Sequence, residues 1–196
     1  MSEYVCRELD ATTWDAFSEL VAKNNGIWGG CWCMAFHEEG IGKHKSAEQN
    51  RLEKEARVQD GRAHAALVFH GDTVVGWCQY GRSDEVCLKN KFKKTYYPGM
   101  QLEPDWRITC FFVDRKHRGK GVASRALSAA LLSIAAAGGG VVEAYPEDLD
   151  GRAFSSSFIY LGTTSMFEKL GFERSRQVAK HHWVMTKQVE PLPPHQ

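Results

Sequence analysis

Residues 115–121 combine two glycines with five side chains that are basic or become so on protonation. The first turn of a helix has backbone N–H groups with no partner inside the helix, and the helix dipole places partial positive charge there. Because Gly119 and Gly121 have no Cβ atom, a bulky phosphate can approach such amides closely. Arg118 and Lys120 add fixed positive charge. The stretch therefore predicts a binding site for a pyrophosphate group.

The segments on either side would hold this phosphate site in place. Residues 106–113 are almost continuously apolar at their end, which predicts a strand buried on both faces. Residues 123–137 predict a helix whose alanine-rich face packs closely on a sheet. Two other glycine-rich phosphate sites fit less well, because the spacing matches neither the P-loop nor the dinucleotide-binding fingerprint.

The charge balance argues against a general nucleic-acid binder. The 196 residues include 25 Lys and Arg against 24 Asp and Glu, which gives a formal net charge of +1. Domains that bind nucleic acid usually carry a clear basic excess. The length suits one domain with a sizeable core. We therefore expect a single domain without a nucleic-acid partner.

The sequence predicts a cytoplasmic protein with reduced thiols and no membrane span. Its first residues lack the apolar core of a signal peptide, and the longest apolar stretch, residues 129–137, is too short to cross a bilayer. The six cysteines are scattered along the chain, unlike the dense disulfide framework of a small secreted domain.

Residues 27–37 concentrate aromatic and sulfur-containing side chains. Three interpretations are open. Cys31, Cys33 and His37 could bind a metal with His44, although structural zinc sites usually space their cysteines further apart. The cysteines could be small buried hydrophobes, and the aromatic side chains could line a substrate pocket. A combination of packing and pocket is favoured, with no metal.

The remaining elements follow from periodicity and turn signals. Helices are predicted over residues 14–21, 46–60 and 165–170, and strands over residues 4–9, 64–70, 73–80, 141–145, 172–175 and 182–186. Residues 81–105 show no clear period and are made basic by Lys89, Lys91, Lys93 and Lys94. The proline-rich residues 188–196 predict a disordered tail.

Arg118-x-x-Gly121-x-Ala123 resembles the acyl-CoA signature of the GCN5-related N-acetyltransferase (GNAT) superfamily. Residues 167–172, Phe-Glu-Lys-Leu-Gly-Phe, are similar to the family's Tyr-Glu-Lys-Leu-Gly-Phe, and the order of elements is also similar. Gly-Cys-Trp-Cys-Met at residues 30–34 looks like a less-characterised bacterial branch.

The resemblance implies an α/β (α+β) fold in one domain over residues 1–187. It implies a mixed central sheet of six to seven strands with flanking helices, in which strands four and five splay apart at the cofactor site. It also implies an acetyl-CoA-dependent N-acetyltransferase, whose acceptor is a small-molecule or peptide amine. Homodimers are common in the family.

The resemblance assigns acetyl-CoA to residues on both sides of the turn. Its pyrophosphate would lie on the amides of residues 118–123, and its pantetheine arm would pair with the backbone of residues 111–113. The implied cofactor-binding residues are Phe111, Phe112, Val113, Arg118, Gly119, Lys120, Gly121, Val122 and Ala123.

For catalysis, Glu143 is the first choice of base and Tyr145 a candidate acid. Strand alternation places both on one face, which either opens to the splayed gap or gives Glu143 a structural partner. Glu103 is the second choice of base. The usual acid of the family is a tyrosine, but Phe167 stands in its place here. Tyr160, Ser165 or water are the other proton donors, and Cys110 is interpreted as a structural thiol rather than a nucleophile.

Two other functions stay open from the sequence. The missing tyrosine at Phe167 is compatible with a non-catalytic acyl-CoA-binding or regulatory module. The stretch around Cys31, Cys33 and His37 is compatible with a thiol or metal sensor.

Overall fold

The described residues form a seven-stranded mixed sheet with the strand order β1-β2-β3-β4-β5-β7-β6. The computed structural model describes residues 3–40, 45–88, 94–100, 102–151 and 159–193. The strands are β1 Tyr4–Glu8, β2 His64–His70, β3 Thr73–Arg82, β4 Trp106–Val113, β5 Gly140–Ala144, β6 Glu173–Ala179 and β7 His182–Val189. The helices are α1 Trp14–Lys23, α2 Ala47–Gln59, α3 Val122–Ala136 and α4 Thr164–Glu168. The predicted α/β architecture and order of elements are confirmed.

Strands β4 and β5 are parallel neighbours that part after a short paired segment. Trp106, Arg107 and Ile108 pair with residues 142–144, and no further pair follows. Beyond this point the Phe111 N–H donates instead to the carbonyl of Tyr160, at 2.7 Å. The predicted splay of strands four and five is therefore confirmed.

The hydrophobic core lies on both faces of the sheet. On one face, Phe17 and Leu20 of α1 pack in a cluster with Trp77 of β3. On the other face, Ala126 and Ala130 of α3 are completely buried against the sheet. Alanine side chains let the helix backbone approach the strands closely, as the sequence predicts.

Local capping explains where α2 begins. The Ser46 side chain accepts from the N–H of Gln49, and the Gln49 side chain accepts from the N–H of Ser46. This reciprocal capping box satisfies two N–H groups that the first helical turn leaves without partners. The predicted start of the helix is confirmed.

The predicted end of the last strand, at residue 186, is corrected. Strand β7 continues to Val189, which is buried, and the Leu192 N–H donates to the Ala135 carbonyl at 2.9 Å. The last strand is longer than predicted because its end pairs with β5, where Val189 lies opposite Gly140. Residues 194–196 of the predicted tail lie outside the described residues.

The segment without a clear period, residues 81–105, is partly regular. Strand β3 includes Arg82, and a short 3-10 helix covers Tyr97–Gly99. Lys94 is exposed, whereas Lys89, Lys91 and Lys93 lie outside the described residues.

Gly76 in β3 lies where a side chain would collide with the backbone of β4. A Cβ atom there would be 2.7 Å from the carbonyl oxygen of Phe112 and 2.9 Å from a methyl group of Val122. We expect Gly76→Ala to lower stability by about 1–3 kcal/mol, because a well-packed core does not absorb an added methyl group. Thermal denaturation measures this. Thr73→Ala, at the exposed start of the same strand, is the control, and equal melting temperatures for the two variants would contradict the expectation.

Candidate active site

A cavity of about 240 Å³ lies where β4 and β5 part. Its lining includes most of the residues that the sequence assigns to a cofactor, namely Phe111, Phe112, Val113, Arg118, Gly119, Gly121, Val122 and Ala123. Lys120 is exposed beside it and is not part of the lining. The sequence did not assign the other lining residues to the cofactor, namely Trp28, His117, Ser124, Ile159, Tyr160, Gly162, Thr163 and Met166.

The turn before α3 has the form of an anion-binding cradle. Gly121, with φ of 77°, precedes the helix, and its carbonyl accepts from the N–H of Arg125. The amides of residues 122–124 therefore precede the first hydrogen bond of the helix and face the end where its dipole is positive. Among the described residues, no heavy atom lies within 4 Å of a Cβ built on Gly119 or Gly121. This open space fits a phosphate group close to the amides.

The edge of β4 that faces the gap is partly occupied by the chain itself. The Phe111 N–H is bonded to Tyr160, and the Val113 carbonyl accepts from the Arg118 guanidinium at 3.2 Å. Strand alternation directs the Phe111 carbonyl and the Val113 N–H toward the same gap. A ligand lying along residues 111–113 therefore meets fewer open backbone groups than the sequence predicts.

A second cavity of about 170 Å³ adjoins the first. Its walls are Trp28, Cys31, Cys33, Ala35, Phe36, Cys110 and Tyr160. Trp28 and Tyr160 line both cavities, and their rings meet edge to face with centroids 5.8 Å apart. The predicted aromatic pocket in residues 27–37 is therefore present, and this inner cavity, as we call it, also takes a wall from β4.

The loop that forms this wall has an unusual backbone. Ile27, Trp28, Trp32 and Cys33 all have φ between 48° and 56°, a left-handed conformation that side chains disfavour. Hydrogen bonds hold the loop in place, including one from the Asn50 side chain of α2 to the Gly30 carbonyl at 2.8 Å. Backbone strain of this kind is common at functional sites.

A buried lysine lies against the same wall. Lys54 of α2 is 1 % exposed, and its Nζ lies 3.2 Å from His37 Nε2 and 3.3 Å from Gln79 Oε1. His37 Nδ1 is 3.2 Å from the Glu85 carbonyl, to which it must donate, so His37 Nε2 accepts from the lysine. Among the side chains that the structure describes, no carboxylate forms an ion pair with Lys54.

Burial dominates the ionisation of this pair. It lowers the pKa of Lys54 to about 8, while the neighbouring thiols Cys33, Cys110 and Cys31 act in the opposite direction. Burial also holds the pKa of His37 well below its ordinary value, and the charge of Lys54 adds to this. The wall of the inner cavity thus has a neutral imidazole and a partly destabilised cation behind it.

Cys33 and Cys110 come together although they are 77 residues apart, with their sulfur atoms at 3.6 Å. His37 instead contacts Lys54, so the structure does not bring its imidazole together with Cys31 and Cys33. The described residues contain no group of three or more metal-ligating side chains. His44 lies outside them.

A sequence profile of the acetyltransferase (GNAT) family matches residues 20–154, more than half of the chain. The chain belongs to the GNAT family. This match includes the parted strands, the cradle and every wall residue of the inner cavity except Tyr160. It confirms the predicted superfamily, and the protein is accordingly a GNAT-family N-acetyltransferase.

Solved structures share the GNAT fold at low sequence identity. An N-acetyltransferase from Staphylococcus aureus Mu50 matches with a TM-score of 0.53 and 15% identity, covering 96% of this chain and 99% of that one. PaiA N-acetyltransferase from Thermoplasma acidophilum, in complex with coenzyme A, matches with a TM-score of 0.52 and 15% identity, covering 95% of this chain and 99% of that one. A ribosomal-protein-alanine N-acetyltransferase from Brucella melitensis matches with a TM-score of 0.54 and 18% identity, covering 94% of this chain and 99% of that one. A search of curated proteins finds no match.

Among the described residues, none of the helices has the length and apolar character that a membrane span requires.

The two residues predicted to catalyse the GNAT reaction line neither of these cavities. Glu143 Oε2 accepts from the hydroxyls of Tyr145 and Tyr96, at 2.9 and 2.8 Å, and Arg107 Nε donates to the Tyr145 hydroxyl at 3.1 Å. All four side chains are buried. Glu143 and Tyr145 do share a face, but that face gives Glu143 structural partners. The predicted roles of base and acid stay predictions, since these contacts show how the two side chains are held and not what they do in the reaction.

The buried network also changes the ionisation of its members. Burial, assisted by the charge of Glu143, raises the pKa of Tyr145 well above its ordinary value. Burial alone would lower the pKa of Arg107, but the phenol groups of Tyr145 and Tyr96 raise it. Arg107 also donates to the carbonyls of Ser83 at 2.5 Å and Val86 at 3.0 Å, so the network anchors the segment that follows β3.

Of the other candidate acids and bases, one reaches the cavities. Tyr160 lines both, whereas Ser165 is exposed and contacts the Thr163 hydroxyl at 3.2 Å. Glu103 lies 3.4 Å from Arg107 and is mostly exposed. Phe167 is completely buried and meets Phe111 edge to face at 5.9 Å, so it belongs to the core beneath the cavity.

The buried Lys54 predicts a specific dependence of stability on pH. Its pKa is about 8 in the folded protein and ordinarily 10.5, so the unfolded chain binds more protons between these values. Lys54 therefore disfavours folding most below pH 8, by up to about 3 kcal/mol relative to pH 10.5. Lys54→Met removes this penalty, and its stability relative to wild type should fall as pH rises from 8 to 10.5. Denaturant unfolding at several pH values measures the difference.

The matched control is Lys94→Met, at an exposed lysine. A constant difference between Lys54→Met and wild type across this pH range would contradict the expectation.

The contact between Cys33 and Cys110 predicts a preferred disulfide. Their sulfurs need to approach by roughly 1.5 Å to reach the bonded distance of about 2.05 Å. We expect diamide, which removes two electrons and two protons, to join them before other pairs. Peptide mapping under non-reducing conditions measures this. Cys78 serves as the internal control, since burial raises the pKa of its thiol well above the ordinary value. Linkage of Cys33 to Cys31 instead would refute the expected pairing.

Proposed function

We propose that this GNAT protein transfers an acetyl group directly from acetyl-CoA to a primary amine. The cradle at the start of α3, open above Gly119 and Gly121 and continuous with the gap between β4 and β5, carries the proposal. Coenzyme A has a pyrophosphate and a long arm, which fit an anion site followed by an elongated cavity. The CoA complex of the similarly folded PaiA protein supports this assignment.

The residues of the cradle have distinct roles in this proposal. The amides of residues 122–124 bind the pyrophosphate, and Lys120 contributes positive charge from the surface. Arg118 holds the end of β4 through the Val113 carbonyl and adds charge on the same side. The backbone of Phe111 and Val113 orients the arm.

Acetyl-CoA, when bound, supplies an activated thioester, so the chain contributes mainly positioning and electrostatic stabilisation. The Tyr160 side chain lies between the two cavities and carries a phenolic proton. It is therefore our candidate for the acid that the family's tyrosine provides elsewhere and that Phe167 cannot provide. The amine enters the inner cavity, whose aromatic wall is built by residues 28–36.

Two finer assignments accompany this proposal. The reduced thiols of Cys31, Cys33 and Cys110 support a reducing compartment, and we propose the cytoplasm. We also propose that Gly-Cys-Trp-Cys-Met at residues 30–34 defines a branch of the family, because this segment forms the thiol-lined wall.

A non-catalytic acyl-CoA-binding module is the second candidate, favoured by the burial of Phe167 in the core. Such a module would bind acetyl-CoA without releasing thiol in the presence of amines. An assay that follows thiol release over a broad amine panel separates the two functions.

The cradle is tested by reversing one of its charges. Lys120→Glu should weaken acetyl-CoA binding by roughly three- to tenfold, because the attraction of an exposed positive charge is lost and a repulsion is added. A thermal-shift titration with acetyl-CoA measures the affinity. Lys180→Glu, at an exposed turn between β6 and β7, makes the same change of charge away from the cradle and should bind normally.

If Lys120→Glu binds acetyl-CoA with the same affinity as wild type, Lys120 does not contribute to the binding site. If wild type itself shows no rise in melting temperature with acetyl-CoA, the cradle does not bind the nucleotide and the proposed function is wrong.

A further inference from the structure

The walls of the inner cavity suit a flat apolar ligand. Trp28, Phe36 and Tyr160 supply aromatic surface, and the rings of Trp28 and Phe36 each pack against Tyr160. Cys33 and Cys110 add polarisable sulfur atoms that behave as small hydrophobes. The volume of about 170 Å³ is close to that of engineered apolar cavities that bind a single benzene ring, about 150 Å³. One aromatic ring therefore fits this space.

The charges around the cavity oppose a cationic ligand. The buried ion nearest to its sulfur wall is Lys54, whose charge acts on Cys33, Cys110 and Cys31. An ammonium group in the cavity would lie on the same side as this cation, at a cost in Coulomb energy and in desolvation.

Two carboxylates in this part of the fold have other partners. Glu143 is bound by two tyrosines, and Asp148 forms an ion pair with Arg174. The walls that the structure describes carry aromatic, thiol and methyl groups. The segments 41–44, 89–93, 101 and 152–158, outside the described residues, contain no Asp or Glu in the sequence.

We propose that the acceptor is an aromatic amine with its amino group attached to a single ring, so that it is uncharged at neutral pH. This inference rests on the proposed function. An alkyl amine resembling the lysine side chain, with a pKa of about 10.4, is neutral at pH 7 in only roughly one molecule in 2,500. It would need a base at the cavity. The nitrogen lone pair of an aromatic amine is available without one.

The transfer balances without a further reactant. The amine nitrogen forms a bond to the thioester carbonyl carbon, and the bond from that carbon to sulfur breaks. The nitrogen loses one proton and the sulfur gains one, so that an aromatic amide and a free thiol leave the enzyme.

The experiment compares aniline, benzylamine and butylamine as acceptors, with thiol release from acetyl-CoA as the first readout. We expect the kcat/KM of aniline at pH 7 to exceed that of benzylamine by about tenfold or more, since the buried ammonium finds no partner. The profile for aniline should be flat between pH 6.5 and 8, and that for benzylamine should rise with pH.

The second readout is binding rather than activity. Isothermal titration of the wild-type protein, saturated with coenzyme A, should detect aniline and show at least tenfold weaker binding of benzylamine at pH 7. Trp28→Ala should weaken aniline binding, whereas Trp14→Phe, at a buried tryptophan outside both cavities, should not.

A designed change of specificity completes the test. Ala35→Asp places a carboxylate in the cavity wall, and Ala35→Asn is its uncharged match. The aspartate should raise the kcat/KM for benzylamine by about tenfold and lower that for aniline, while the asparagine variant keeps aniline as the better acceptor.

Preference of the wild-type protein for benzylamine or butylamine, together with normal stabilisation by acetyl-CoA, would overturn this inference and leave the proposed function standing. Absence of any stabilisation by acetyl-CoA overturns both. Transfer to aniline without selective binding of aniline in the titration would place the acceptor outside the inner cavity and also overturns the inference.

Discussion

The separation of β4 from β5 is the constraint on which the rest of this structure depends. Two strands that part leave backbone groups without partners, and a buried unsatisfied group costs about 1–3 kcal/mol. The chain meets this demand by returning to the gap, where the Tyr160 carbonyl accepts from Phe111 and the Gly162 carbonyl accepts from Glu147. Residues 159–163 thereby replace the missing strand contacts. The same residues also line both cavities, so the hydrogen bonds that satisfy the parted strands also position the site.

Two buried charged networks lie near this gap, and they differ in how they are neutralised. Arg107 and Glu143 are linked through the Tyr145 hydroxyl, with carbonyls completing the shell of the arginine. Lys54 has His37 and Gln79 as partners instead, and the thiols as the nearest groups able to carry negative charge. A network whose polar groups are all hydrogen-bonded stabilises the fold, whereas a buried cation held by neutral groups lowers the stability. Because of this difference, the thiol wall of the inner cavity adjoins a buried cation that no carboxylate neutralises among the described side chains.

The cradle could be predicted because it is local in sequence: a strand, two glycines and a helix lie within about thirty residues and follow general rules of helix ends. Strand alternation correctly predicts that Glu143 and Tyr145 share a face, but it cannot predict their contacts with Tyr96 and Arg107. No periodicity could bring Cys110 to Cys33, or Lys54 to the same wall, because those contacts arise from packing across the sheet. The clustering of aromatic residues in 27–37 does indicate a pocket. The hydrogen bond between Tyr160 and β4 has no local sequence pattern that would predict it.

The left-handed residues of the loop at Ile27, Trp28, Trp32 and Cys33 have a consequence for how this enzyme tolerates mutation. Each such residue costs about 1–2 kcal/mol, so together they approach the whole net stability of an ordinary domain. The loop persists because the helices and strands around it are more stable than folding alone requires. Mutations far from the cavity that erode this reserve should therefore relax the loop before they unfold the chain. Selection for greater thermal resistance, by glycine at these positions, would be expected to trade away the shape of the pocket.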